Sequence, residues 1–192
     1  MSDVLQSRTG LATLTSEPLR SRGSVSAVRL VEQPLGVAYT LRFLEVDEET
    51  IDTIAALTGL HLATTARAVT VGSRTALWLG PGDWLVRFGS DATVPQEWDR
   101  MPSGRYVAID TSDLWFTVRL DGVYSRDVLA KGCALDFDPA RFPPSTAAVT
   151  QLARIRALIH HVEGCAYDVY VERSYAAYVW TWLDDAVQEF LQ

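Results

Sequence analysis

The stretch "ALWLGPGDWLV", Ala76 to Val86, sets two glycines, a proline and an aspartate between two tryptophans in an apolar run. A glycine-rich segment of this kind cradles a phosphate, lines a ligand pocket or turns the chain, and each reading implies a different fold. Phosphate loops lead from a strand into a helix. Here both flanks, "RTALWLG" (74–80) and "DWLVRFG" (83–89), read as strands, with Trp84, Val86 and Phe88 on one face. Neither the dinucleotide-binding glycine fingerprint nor the P-loop pattern occurs in the chain. The stretch is therefore a tight strand-to-strand connection in which Pro81 and Gly82 supply the backbone angles. Trp78 and Trp84 can each face a core or a partner.

Outward from this hairpin the patterning continues in short elements. "GVAYTLRFL" (36–44) alternates, placing Tyr39, Leu41 and Phe43 on one face of a half-buried strand. "DEETIDTIAALTG" (47–59) carries acidic residues in its first turn, Ile51, Ile54, Ala55 and Thr58 on one stripe, and a closing Gly59, the pattern of a capped amphipathic helix. A short helix is expected at "PQEWDRM" (95–101) and strands at "RYVAID" (105–110) and "WFTVRLDG" (115–122), where Phe116, Val118 and Leu120 share a face. Helix "YSRDVLAKG" (124–132) ends on a glycine. Two long strands, 150–164 and 165–173, are expected to meet in a hairpin near Glu163-Gly164.

The last helix, from about Ser174 to Phe190, has Ser174 as its expected cap. Its core face is Tyr175, Tyr178, Val179, Trp182, Leu183, Ala186 and Phe190. A second row, Ala176, Trp180, Val187 and Leu191, is apolar too, and reads either as a wide core contact or as a partner interface.

Hairpins are too frequent for a parallel sheet, so the fold class is α+β, mainly antiparallel sheets with packed helices. Residues 1–24, polar and without period, form an extended N-terminal arm, disordered or ordered by a partner. Residues 25–192 form a single domain, and a loosely repeated order of elements allows two lobes, about 25–103 and 104–192. The 192 residues are 48% hydrophobic and 21% charged, with no window approaching the ~18 apolar residues of a membrane span. The start lacks the order of a secretion signal, so a cytoplasmic location is expected. Seventeen basic against 24 acidic residues leave −7, which argues against a nucleic-acid partner.

The search for chemistry finds no convergent site. Cys133 and Cys165 lack the spacing of a zinc or redox pair and read as reduced thiols. His160 and His161 share a predicted strand and so point to opposite faces, which keeps them from ligating one metal; His61 stands apart. No nucleophile elbow accompanies Cys133 or any serine. Lys131, the sole lysine, suits the end of its helix as a cation far better than it suits a Schiff base. No catalytic, cofactor-binding or metal-binding residue is assigned.

Three segments together resemble, in order and spacing, the gamma subunit of heterotetrameric sarcosine oxidase: "ALWLGPGDWLV", the run from Asp110 to Ile155 containing "VLAKGCALDF" and "FPP", and "CAYDVYVERSYAAYVWTWLDDAVQEF". The resemblance runs from about residue 70 to the end. That family is in turn similar in fold to the folate-binding aminomethyltransferase domain of the glycine cleavage T protein, echoed in "DTSDLWFTVRLDGVYSRDVLAKG". The acidic, glycine-rich folate motif of that domain is missing, so folate activity is not carried over.

The resemblance implies a non-catalytic companion packed on the alpha subunit, with beta and delta subunits in the same complex. The complex would oxidise sarcosine to glycine, yielding formaldehyde or 5,10-methylenetetrahydrofolate and hydrogen peroxide. It further implies FAD, FMN, NAD, zinc and tetrahydrofolate on the other subunits and none on this chain. The alternatives are the equivalent subunit of a related N-methyl amino acid oxidase or dehydrogenase, and a free-standing folate-binding aminomethyltransferase-like protein.

Overall fold

The computed structural model describes residues 21–23, 27–34, 36–89, 92, 94 and 106–191. The helix expected at 95–101 and nearly all of the N-terminal arm lie outside them, apart from a short strand at 21–23. In chain order the elements are β1 (Ser21–Gly23), β2 (Arg29–Gln33), β3 (Val37–Phe43), α1 (Glu48–Thr58), β4 (Ala68–Val71), β5 (Arg74–Gly80), β6 (Asp83–Phe88), β7 (Tyr106–Asp110), β8 (Trp115–Asp121), α2 (Ser125–Ala130), β9 (Ala147–Leu152), β10 (Ile155–Glu163), β11 (Ala166–Glu172) and α3 (Ala176–Val187).

The strands form two antiparallel sheets, one ordered β1-β2-β8-β11-β10-β9 and the other β4-β5-β6-β3-β7. Three apolar clusters define four layers. On one face of the five-stranded sheet, Leu41, Phe43, Trp84, Val86 and Phe88 pack against Ile51 and Ile54 of α1. Between the sheets, Ala38, Leu77 and Leu85 meet Trp115, Leu158 and Tyr170. Beyond the six-stranded sheet, Phe116, Val118, Leu120 and Val169 pack on Val128 of α2 and Val179 and Leu183 of α3. The strict alternation along β3, β6 and β8 produces this layering, because successive side chains leave a strand on opposite faces. The chain is α+β, as its patterning requires.

Local signals explain most boundaries. Asp47 caps α1, its carboxylate accepting the Thr50 N–H at 2.7 Å, and the Gly59 N–H donates to the Ala55 carbonyl at 2.8 Å. At the β5–β6 turn Gly82 takes φ 79°, behind Pro81, the pairing that a type II turn demands. Its carbonyl accepts the Phe43 N–H at 2.8 Å, so the turn is tied to the end of β3. Trp78 and Trp84 stand directly opposite each other across this hairpin. Trp84 is fully buried under α1 and donates its indole N–H to the Ala63 carbonyl at 2.8 Å, which settles it as a core residue.

Two expectations need correction. The long strand at 150–164 is two strands, because the chain reverses at Ala153-Arg154, with φ 48° and 74°. Two left-handed residues in a two-residue hairpin are the geometry usually supplied by Asn-Gly, and neither residue advertises it. Tertiary bonds hold the turn: the Ala153 N–H donates to the Gly132 carbonyl at 3.0 Å, and its carbonyl accepts the Tyr178 hydroxyl at 2.5 Å. Ser174 does not cap the last helix. It lies in a 3-10 turn over Arg173–Tyr175, and α3 starts from Tyr175 with no side-chain cap bond.

Candidate functional site

The last helix carries the interface expectation, and the structure rotates its faces. Val179, Leu183 and Ala186 enter the core as expected, but Ala176 and Val187 enter it beside them, at 1% and 0% exposure. Ala176 and Val187 are therefore removed from the expected partner row. Trp180 and Leu191 rest on the same core with part of their surface open. Tyr175 and Tyr178, expected inside, are 43% and 45% exposed, while Trp182 and Phe190 lie at the rim. The reason is the line of contact: α3 lies on the sheet along Ala176, Val179, Leu183 and Val187, and that line tips the tyrosines toward solvent.

Lys131 also acts elsewhere than its own helix. It follows α2, but its ammonium crosses to the last turn of α3, donating to the Ala186 carbonyl at 2.7 Å and pairing with Glu189 at 2.6 Å. It also lies 4.6 Å from the Phe190 ring centroid, and Tyr124 stacks on that ring. A cation at a helix C-terminus complements the dipole, so this lysine joins α2 to α3. Gly132 sits against Trp182, where an added Cβ would lie 2.6 Å from the indole ring.

Cys133 is buried with its sulfur 3.6 Å from the Thr150 hydroxyl, Cys165 lies at the β10–β11 turn, and both are free thiols. His61 is exposed in a groove between α1 and the following loop, 3.9 Å from Asp52. His160 and His161 take opposite faces of β10. His161 stacks on Tyr167 on the helix side, with its ring nitrogens 2.7 Å and 3.0 Å from the Phe142 and Gly164 carbonyls. His160 faces the other sheet. Among the described residues no group of three or more His, Cys, Asp or Glu side chains could hold a metal ion, and no helix is long and apolar enough to cross a membrane.

A buried polar assembly that the sequence does not announce lies between the sheets. Arg119 on β8 grips Asp168 on β11 with two bonds, 2.7 Å from Nε and 2.8 Å from Nη2. Asp168 is 1% exposed. From the opposite sheet, Arg87 donates to the Tyr170 hydroxyl at 2.7 Å. Burial pushes the Tyr170 hydroxyl well above its usual range, while the bond to Asp168 raises the Arg119 guanidinium. The signal was legible as an acid, Asp168, in the middle of the apolar strand "CAYDVYVER", yet its partner depends on strand register, which periodicity does not supply. These groups are tied to one another across the core and do not line an open cavity.

Comparison with known proteins gives the chain its place. The model of the sarcosine oxidase gamma subunit family matches residues 46–189. The fold is similar to that of a chain of the heterotetrameric sarcosine oxidase from Corynebacterium sp. U-96, solved in complex with pyrrole 2-carboxylate, with 24% identity, 96% of each chain covered and a TM-score of 0.82. No curated protein matches. The family match begins before α1 and runs past the end of α3, taking in eight of the eleven strands and the three α-helices found among the described residues, and on that ground the chain belongs to the sarcosine oxidase gamma subunit family.

Proposed function

We propose that this chain is the non-catalytic gamma subunit of a cytoplasmic heterotetrameric sarcosine oxidase, packed directly on the alpha subunit, with beta and delta in the same assembly. The observation that carries the reading is the family match over residues 46–189. In such a complex sarcosine would give up two electrons and two protons, a hydride from its N-methyl carbon and a proton from its nitrogen, and a flavin on another subunit would pass the electron pair to dioxygen, which takes up two protons. Hydrolysis of the resulting imine, or its capture by tetrahydrofolate, gives glycine with formaldehyde or 5,10-methylenetetrahydrofolate, together with hydrogen peroxide. FAD, FMN, NAD, zinc and tetrahydrofolate belong in this reading to the other subunits. Several polar side chains of this chain are engaged within it, Lys131 joining α2 to α3, Arg119 holding Asp168 along one sheet and Arg87 reaching Tyr170 across the two sheets, which accords with a companion role. Residues 25–192 act as one α+β body, and the open surface of Trp180 and Leu191, with the exposed Tyr175 and Tyr178, is the candidate contact with alpha.

Affinity purification of the full chain from its native cell tests this. The expected result is a large yellow flavoprotein complex that consumes sarcosine and releases peroxide. A colourless chain that brings down no flavoprotein overturns the proposal. Preference for another N-methyl amino acid would move the assignment to the related oxidases.

A further inference from the structure

The buried polar assembly holds one group that no pairing explains. Arg119, Asp168 and His160 are direct cross-strand neighbours on β8, β11 and β10, and form a row across the inter-sheet face of the six-stranded sheet. His160 is 5% exposed, and its Nδ1 is buried without a hydrogen-bond partner among the described residues. The Asp168 carboxylate is already engaged by both Arg119 donors. Among the described residues, the charged groups that act on His160 are Asp168 on β11, Arg119 on β8 and Arg87 on β6, the last held by the Tyr170 hydroxyl of β11, while its neighbour His161 points to the opposite face. Its cross-strand neighbour on β9 is Ala147. A neutral ring fills this space as an apolar plate. A charged ring adds a third cation beside two guanidiniums, with a single carboxylate to share.

We propose that His160 is an acid-operated wedge in the joint between the two sheets. Its protonation draws Asp168 from Arg119 and drives Arg87 off the Tyr170 hydroxyl, loosening the contact of β6 with β11. The electrostatics run in the same direction. Burial, with Arg87, Arg119 and His161 adding to it and Asp168 opposing, lowers the His160 pKa from 6.5 to about 4. The unfolded chain therefore binds this proton more readily than the folded one, and stability present above about pH 6.5 is lost as pH falls toward 4.

Hydrogen–deuterium exchange on the assembled complex containing the full chain tests the wedge, at about pH 6.5 and about pH 4.5, with rates corrected for intrinsic exchange. Protection of the Asp83–Phe88 and Ala166–Glu172 strands should fall about tenfold more on acidification in the wild type than in His160→Phe. Equal losses in both proteins overturn the proposal. Should His160→Phe fail to assemble, His160→Gln, which cannot titrate, serves in its place. Wild-type protection of these two strands that survives about pH 4.5 unchanged overturns the proposal without any variant.

Discussion

The Tyr178 hydroxyl of α3 donates to the carbonyl of Ala153, 2.5 Å away, and so fastens a helix to a turn whose backbone is left-handed at two successive residues. One hydrogen bond thus links the outer helical layer to the register of β9 on β10. Removing the hydroxyl in Tyr178→Phe should cost about 1 to 2 kcal/mol in urea unfolding, since the Ala153 carbonyl loses its donor. Arg154→Gly tests the other side of the relationship. Arg154 is exposed at φ 74°, where glycine carries no steric penalty, so this change should stabilise by about 1 kcal/mol. A loss of stability in Arg154→Gly would mean that the turn is not strained.

Gly132 is required for a different reason. A Cβ there would lie 2.6 Å from the Trp182 ring and 3.3 Å from the Ala153 nitrogen. Gly132→Ala should therefore destabilise by about 1 to 3 kcal/mol through overpacking. The double variant Gly132→Ala with Trp182→Leu should recover part of that loss, and simple additivity of the two changes would place the cost in the backbone instead.

Lys131→Met keeps the aliphatic stem and deletes the charge. The bond to the Ala186 carbonyl, the pairing with Glu189 and the contact with the Phe190 ring would go together. Because Glu189 is largely exposed the ion pair itself adds little, and the expected loss is about 1 to 2 kcal/mol, chiefly from the helix terminus. Fraying should be confined to the last turn of α3, read as faster amide exchange after Ala186. A melting temperature and exchange pattern identical to wild type would show that the lysine does not hold this end.

Trp180→Asp separates folding from assembly. Trp180 is partly buried beside the core rather than within it, so the isolated chain should lose only about 1 kcal/mol, while recovery of the flavoprotein partner should fall about tenfold. Equal losses in both measurements would make Trp180 an ordinary core residue and shift the interface elsewhere.

Helix α1 and the strands β3, β5, β6 and β8 were legible because their signals are local: an Asp47 cap, a Gly59 stop, a Pro81-Gly82 turn and period-two alternation. The candidate interface was legible only as an excess of apolar residues on the last helix. Which of them remained open depended on how α3 lay against β8 and β11, and a rotation of the helix by part of a turn exchanged Tyr175 and Tyr178 for Ala176 and Val187. The family resemblance came from motifs in order, and the match over residues 46–189 bears it out.

Sequence alone determined the class of fold and the buried faces of β3, β6 and β8, since side-chain alternation and turn chemistry act over a few residues. Tertiary structure alone decided the reversal at Ala153-Arg154, where the Gly132 carbonyl and the Tyr178 hydroxyl, distant in the chain, hold angles that alanine and arginine do not favour. It also decided the row of Arg119, Asp168 and His160, because strand register brings residues from three strands into one line. Local preference is fixed residue by residue, whereas register and turn strain are fixed by the burial and hydrogen bonds of the whole sheet.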